Sequence, residues 1–206
     1  MAHGLARGTV RLVEHDPDWA AVFKAEAYAL QAVLRRHRIA AQIQHVGSTA
    51  VQGMPAKPII DIAVGVPSAD DVGGALVALR AAGRDYVKAA NQPGMLFLAL
   101  GDAERLFHYH LVVAGSHAWD RLVFFRDVLR RHRGLAKEYA ELKQRLAERF
   151  PQDRGAYTRG KSAYVRAVES RAFNEERRRM QARTIAEAVR RDTSVWPMLR
   201  TEPPGV

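Results

Sequence analysis

A glycine–serine pair followed by an acid is the part of this sequence whose residue types are best suited to chemistry. Gly47 and Ser48 follow a short run predicted to be a strand, residues 41–46, and Asp61 interrupts residues 58–66, which are otherwise apolar and rich in β-branched side chains. A glycine lets the backbone approach a bound phosphate closely, and the serine hydroxyl and the amides after it can donate to phosphate oxygens. A carboxylate on the next strand can hold Mg²⁺ or Mn²⁺. The order predicts a nucleotide site, with Thr49 as a further contact.

Three histidines fall near these segments in the predicted fold. His108 and His110 are two residues apart in the predicted strand 106–113, so their side chains share a face. If that strand lies beside the strand of Asp61, the three side chains could bind a metal, with Fe²⁺, Mn²⁺ or Zn²⁺ favoured over Mg²⁺. They could instead provide general-base catalysis, with Asp61 and His110 as the catalytic residues, or be hydrogen-bonded sheet histidines. His45 could reach the same cleft or only brace the turn.

Basic side chains are predicted to neutralise the phosphates of a substrate. Lys161 lies four residues after Tyr157 and three before Tyr164, on the apolar stripe of a helix. A lysine that points inward needs an anion, which Asp61 or a phosphate would provide. Each such cation could instead extend along its helix to reach water. The other predicted phosphate contacts are Lys57, Arg126 and Lys143.

The elements that must position these groups follow from hydrophobic periodicity. Short alternating or β-branched runs predict strands at 9–14, 41–46, 58–66, 86–87, 95–100 and 106–113. Asp16 and Pro17 are suited to opening a helix that runs to about residue 36, and a second helix is predicted from Ser68 to about residue 82. From His117 onward the pattern is helical.

We therefore predict an α/β (α+β) protein in which a mixed sheet is followed by a C-terminal helical appendage. The sheet core spans about residues 9–116 and the helices about 117–172, forming one domain over 1–172. Residues 173–206 are predicted to be a charged helix and a disordered tail.

The composition of the chain limits where the protein is expected to act and which partners it is expected to bind. The chain of 206 residues has no cysteine and no apolar stretch long enough to span a membrane, which predicts a cytoplasmic protein. Its net charge of +10 is uneven: residues 1–116 carry +1 and residues 117–206 carry +9. The basic half predicts an anionic partner such as a nucleotide or a phosphorylated small molecule, although arginines on solvated helix faces need no partner. Nucleic acid is disfavoured, because no aromatic residues interleave the arginines and no recognition module is present.

The segment 45–62 resembles the GrpB family, in which His-(Ile/Val)-Gly-Ser-Thr-Ala-Val precedes Lys-Pro-Ile-Ile-Asp-Ile. The resemblance covers about residues 9–172 and continues through 108–113, 125–127, 139–143 and 157–161. The segment is also similar to the Gly-Ser signature of the nucleotidyltransferase superfamily. This resemblance implies a nucleotidyltransferase-like core and a metal-dependent nucleotidyl or related group transfer from a nucleoside triphosphate to a small acceptor.

The sequence departs from the pattern of an active nucleotidyltransferase in its acids. Such an enzyme has two acids flanking one residue on the strand, but Ala63 stands where the second would be. A third acid is expected on a later strand, where this chain has His108 and His110. The alternative is therefore a protein that binds a nucleotide or phosphometabolite and has lost catalysis.

Overall fold

The computed structural model describes residues 3–191, except for the side chains at 172, 176–177, 184–186 and 188–191. The described residues fall into two compact units, one that ends at Glu169 and one that begins at Ser170. The site residues predicted above all lie in the first unit. The predicted disordered tail begins beyond residue 191 and lies outside the described residues.

Five strands form a mixed central sheet in the order β2, β3, β7, β5, β4. Only the central pair, β3 and β7, is parallel, and every other pair is antiparallel. A separate ribbon pairs β1 with β6. The mixed α/β fold class predicted from the sequence is confirmed. The strands are β1 Leu5–Ala6, β2 Gln42–Val46, β3 Ile60–Val66, β4 Asp85–Tyr86, β5 Met95–Leu100, β6 Glu104–Arg105 and β7 Phe107–Val113.

Two helices cover one face of this sheet. Side chains alternate between the faces of a strand, so Ile60, Ile62 and Val64 of β3 point to the same side. They form a buried cluster with Leu34 of α1 and Leu79 of α2. None of the helices among residues 3–191 combines the length and apolarity needed to cross a membrane. The helices are α1 Trp19–Arg36, α2 Ala69–Ala81, α3 His117–Arg131, α4 Arg133–Arg149, α5 Arg154–Gly160 and α6 Ser162–Arg191.

The opposite face of the sheet is only partly covered, mainly by α3. Trp119 of α3 packs against Ala63 of β3 and Val112 of β7. A side chain at Gly65 would overlap this indole, because a Cβ there would lie 2.5 Å from Trp119 Cζ3. The Trp119 contact fixes α3 over one end of β3, and the other end, at Asp61, is left under a cavity.

The structure corrects two sequence predictions about local structure. Residues 9–14 do not form a strand: Val10 donates to the carbonyl of Pro151, whereas Val13 pairs with Ala56 in an isolated bridge. Because the two ends of the segment bond to different parts of the chain, no ladder can form. The helix predicted through Tyr157 and Tyr164 is also broken, since α5 ends at Gly160 and α6 begins at Ser162.

Candidate functional site

The parallel pairing of β3 and β7 brings one acid and two histidines together. Asp61 pairs with His108 in the register, and His110 is two residues further along the same face. Oδ1 of Asp61 lies 3.1 Å from Nδ1 of His108 and 3.4 Å from Nε2 of His110. Burial alone would raise the pKa of Asp61, but hydrogen bonds from both histidines outweigh it and hold the pKa well below its usual value.

The charge states of this cluster follow from these contacts. An ionised carboxylate only accepts hydrogen bonds, so each imidazole must donate to Asp61 through the nitrogen nearest to it. Burial lowers the pKa of His108, although Asp61 opposes this effect. Because the pKa lies below its ordinary value, the His108 ring is neutral at pH 7. The other ring nitrogen of His110, Nδ1, is buried and has no hydrogen-bond partner in the structure. Leaving a buried polar atom unpaired costs roughly 1–3 kcal/mol, so a ligand that hydrogen-bonds this nitrogen would recover that free energy.

The turn after β2 lies directly against Asp61. Gly47 has φ 70° and ψ −169°, a conformation that is nearly exclusive to glycine. A Cβ on Gly47 would lie 2.5 Å from Oδ2 of Asp61 and 2.9 Å from its Cβ. The space left by the missing side chain is therefore occupied by the Asp61 carboxylate itself. Ser48 follows in a short 3-10 turn and forms a side-chain hydrogen bond with Tyr139 of α4.

A cavity of about 700 Å³ opens above this cluster, between the sheet and helices α3 to α6. Six cationic side chains and two carboxylates line it. Both carboxylates already have partners: Asp61 has the two histidines, and Glu169 accepts from Arg121 at 2.9 Å. The cavity therefore carries a surplus of positive charge. The other five cations are Lys57, Lys143, Arg154, Lys161 and Arg166.

Three lysines surround two tyrosines in this cavity. Nζ of Lys57 and Nζ of Lys161 lie 5.5 Å and 5.0 Å from the ring centre of Tyr157. Nζ of Lys143 lies 5.0 Å from the ring centre of Tyr139 and donates to the carbonyl of Pro55. Burial, followed by the charges of Lys161 and Arg154, lowers the pKa of Lys57 to about 7. Burial, followed by Lys161 and Lys57, lowers the pKa of Lys143 to about 7.

The depressed pKa of Lys143 has a measurable consequence for stability. The unfolded lysine keeps its proton up to its ordinary pKa of 10.5, whereas the folded one loses it at about 7. Between these values the unfolded state binds more protons, so the free energy of unfolding rises with pH, by up to about 1.4 kcal/mol per pH unit. We expect Lys143→Met to reduce the slope of the free energy of unfolding against pH in urea unfolding at pH 7, 8 and 9, while Lys57, whose pKa is also lowered to about 7, keeps its own contribution. Lys137→Met, at an exposed position of the same helix, is the control, and an unchanged slope in Lys143→Met would contradict the assignment.

Nine of the residues singled out from the sequence line this one cavity. They are Gly47, Ser48, Thr49, Lys57, Asp61, His108, His110, Lys143 and Lys161. Sequence reasoning missed Arg154, Tyr139 and Tyr157 as cavity residues. Their spacing in the sequence could have identified them. Tyr139 is four residues before Lys143 and Arg154 is three before Tyr157, so each pair shares a helix face.

Two predicted substrate contacts lie elsewhere. His45 pairs with Ile62 in the sheet, so its side chain points to the helix-covered face, where it stacks on Phe23 at 4.7 Å and hydrogen-bonds Thr49 at 3.0 Å. Burial lowers its pKa to about 4. Arg126 is buried and donates to the side chain of Gln44 at 2.8 Å and to the carbonyl of His45 at 2.9 Å. Both residues brace the strand and turn from outside the cavity.

The side chains of the predicted metal site bond to one another instead of surrounding a metal position. Asp61, His108 and His110 lie together, but both imidazoles direct a nitrogen at the same carboxylate oxygen rather than at a common vacant point. Within the part of the chain that the structure describes, no group of three His, Cys, Asp or Glu side chains is arranged to hold a metal ion. Ala63, where a second acid would stand, is fully buried. The donors do not fit a pair of Mg²⁺ ions, which need several oxygen ligands.

The fold and the cavity define a mixed α/β protein with a cation-rich pocket over the central parallel strands. Residues 9–171 match the family model described as GrpB protein, and the chain belongs to the GrpB family.

Relatives and solved structures agree with this assignment. The Glutamate-rich protein GrpB of Alkalihalophilus pseudofirmus is 35% identical over 79% of this chain and 95% of the relative. A UPF0157 protein of Pseudomonas aeruginosa is 37% identical over 83% of this chain and 71% of the relative. The crystal structure of the conserved protein GrpB from Enterococcus faecalis has a TM-score of 0.72 and 29% identity, and covers 81% of this chain and 99% of that one. A more distant match is the Cid1 poly(U) polymerase, with a TM-score of 0.47 and 15% identity over 66% of this chain and 44% of that one.

Proposed function

We propose that this protein binds a nucleotide or another phosphorylated small molecule in the cavity over β3 and β7. The observation that carries the proposal is the surplus of cations around one cavity whose carboxylates are already paired. Within the described chain, Lys57, Arg154 and Lys161 have no ion-pair partner. Lys57 and Lys161 are partly buried and Arg154 is exposed at the rim. A charge held partly out of water without a counter-ion is costly, so a ligand that carries negative charge would stabilise the two lysines most.

The shape and lining of the cavity agree with a ligand of nucleotide size. A volume of about 700 Å³ lies within the range of small-molecule sites, roughly 300–1,000 Å³. The lysines supply charge at one wall, and Phe97, Phe125, Tyr139 and Tyr157 supply aromatic surface nearby. Phosphates would lie against Lys57 and Lys161, while an apolar or aromatic moiety would contact the rings.

Isothermal titration of the full chain with ATP and with adenosine tests this proposal. We expect ATP to bind at least about 100-fold more tightly, since two charge-assisted contacts contribute roughly 1.5–3 kcal/mol each. Affinity for ATP should also fall as NaCl is added at constant pH, because the attraction is electrostatic. Equal affinity for ATP and adenosine, or no binding of either, would refute the proposal.

A second candidate is group transfer from a bound nucleoside triphosphate to a small acceptor, and the Asp61–histidine cluster favours it. A carboxylate that holds an imidazole in one tautomer leaves the other ring nitrogen free to take a proton from an acceptor hydroxyl. In nucleotidyl transfer the acceptor oxygen bonds to the α-phosphorus, the bond to the bridging oxygen breaks, and pyrophosphate leaves. With Mg²⁺ or Mn²⁺ as the cofactor, the metal would neutralise the triphosphate, but Asp61 is the sole carboxylate on β3 to hold it.

Pyrophosphate release distinguishes the two candidates. ATP is incubated with the protein, Mg²⁺ or Mn²⁺ and a small-molecule cell extract, and pyrophosphate is measured over time. Release that is lost in His110→Asn but kept in His37→Asn, a change on the exposed C-terminal end of α1, would support catalysis. Binding without release would support the first candidate alone.

A further inference from the structure

The β3–β7 face has too few oxygen donors to hold metal ions. Asp61 provides one carboxylate, and its Oδ1 already accepts from His108 and His110. Its Oδ2 lies against the backbone of Gly47, where a Cβ would come within 2.5 Å. Ala63 is fully buried in contact with the cluster around Trp119, so no acid could occupy that position without displacing the core. The protein therefore provides almost no free oxygen ligands for a divalent cation on this face.

The same cavity concentrates cations where metal ions would otherwise act. Lys57, Lys143 and Lys161 approach two neighbouring tyrosine rings from three different elements: the loop before β3, helix α4 and the junction of α5 with α6. Arg154, at the start of α5, adds a fourth charge to the lining. These cations are close enough that Lys161 and Arg154 disfavour the charged form of Lys57, and Lys161 and Lys57 that of Lys143.

The mutual repulsion of these cations indicates how many negative charges the ligand carries. A monoanion would neutralise one charge and leave the others facing each other in a half-buried space. A chain of two or three phosphates spreads several negative charges over a length that can reach several lysines at once. The geometry therefore favours a polyphosphate over a single phosphate or a carboxylate.

We propose that the lysine cluster replaces the metal ions, so that this cavity binds the metal-free form of a di- or triphosphate and rejects its Mg²⁺ complex. The inference rests on the proposed function and specifies the ligand form for the same site. A Mg²⁺ ion bound to the phosphates occupies the oxygens that the lysines need and brings two further positive charges into a positive cavity. Asp61 then orients His108 and His110 and is not a metal ligand.

Calorimetric titration of the full chain with tripolyphosphate tests the inference. The titration is made in EDTA and again in Mg²⁺ sufficient to saturate the ligand, at equal ionic strength set with NaCl, and inorganic phosphate is titrated alongside. We expect tripolyphosphate to bind at least about 10-fold more weakly with Mg²⁺ present, and inorganic phosphate to bind more weakly than tripolyphosphate in EDTA.

Asp61→Asn provides an independent test, because a metal-free site and a metal site predict opposite changes in affinity. Removing a negative charge beside bound phosphates should strengthen the binding of tripolyphosphate in EDTA several-fold, whereas loss of a metal ligand would weaken binding in Mg²⁺. Asp102→Asn, in the exposed turn between β5 and β6, is the matched control. If Asp61→Asn does not fold, judged by its thermal melt, the Mg²⁺ comparison on the unaltered chain decides alone.

The possible failures separate the two proposals. Binding of tripolyphosphate only in the presence of Mg²⁺, or loss of binding in a folded Asp61→Asn, would overturn the metal-free inference and leave the proposed function standing. No binding of tripolyphosphate, ATP or inorganic phosphate in either buffer would overturn the proposed function itself.

Discussion

The double substitution Lys57→Met and Lys161→Met is expected to weaken the binding of tripolyphosphate or ATP by about 100-fold or more. The Lys57 and Lys161 amines lie 5.5 Å and 5.0 Å from the centre of the Tyr157 ring, so both are within reach of one phosphate chain. Loss of two charge-assisted hydrogen bonds at roughly 1.5–3 kcal/mol each gives this magnitude. Methionine keeps the length and the apolar contact with the ring, which isolates the effect of charge. Affinity is measured by calorimetry in EDTA.

The control for this experiment removes equal charge outside the cavity. Lys137→Met combined with Lys24→Met changes two exposed lysines and should leave affinity within about threefold of the unaltered chain. A similar loss of affinity in the control pair would show that overall charge, rather than the lysine cluster, attracts the ligand. Full affinity in the Lys57→Met and Lys161→Met variant would remove the basis of the proposed function.

Gly47→Ala is expected to lower the free energy of unfolding by about 3 kcal/mol or more. Two effects add: alanine is strained in the backbone conformation of Gly47, and its methyl group would overlap the Asp61 carboxylate. Relief requires Asp61 to move away from its imidazole partners, which also breaks the site. Urea unfolding followed by circular dichroism measures the change.

Gly73→Ala is the matched control for Gly47→Ala. Gly73 lies in the interior of α2, is exposed, and has open space where its Cβ would be. There the same chemical change should be neutral or should stabilise the protein by up to about 1 kcal/mol, because alanine favours a helix. A Gly47→Ala protein as stable as the Gly73→Ala protein would show that the turn can relax and that Asp61 is not confined by it.

The sheet and its polar residues were largely predictable because the alternating and β-branched runs that indicate strands are local patterns. The runs around Asp61 and around His108 and His110 identify two strands, and the fold class follows from the order of strands and helices. That these two strands are adjacent and parallel is a fact of topology, which no local pattern contains. The sequence therefore indicated which side chains share a face of β7, but not that Asp61 lies within hydrogen-bonding distance of both.

The placement of His45 and Arg126 shows where sequence reasoning ends. His45 is two residues before Gly47, but its face is fixed by antiparallel pairing with Ile62, and a shift of one residue would reverse it. Arg126 stands beside a buried phenylalanine in the sequence, but its guanidinium pairs with Asp127 and donates to Gln44 and to the carbonyl of His45 on the edge strand. Only tertiary structure distinguishes an arginine that holds a strand from one that holds a ligand.

The two halves of the chain contribute different charges to the lining of the cavity. The sheet half contributes one lysine and one acid to the lining, Lys57 and Asp61, so its own formal charges cancel. The helical half contributes five cations and Glu169, and it is also where the sequence concentrates its basic residues. Under the proposed function, substitutions on α4, α5 and the start of α6 would therefore change how much anionic charge the cavity accepts, while the strand residues that orient the histidines stay unchanged. We would then expect ligand preference to change without any change in the core of the sheet.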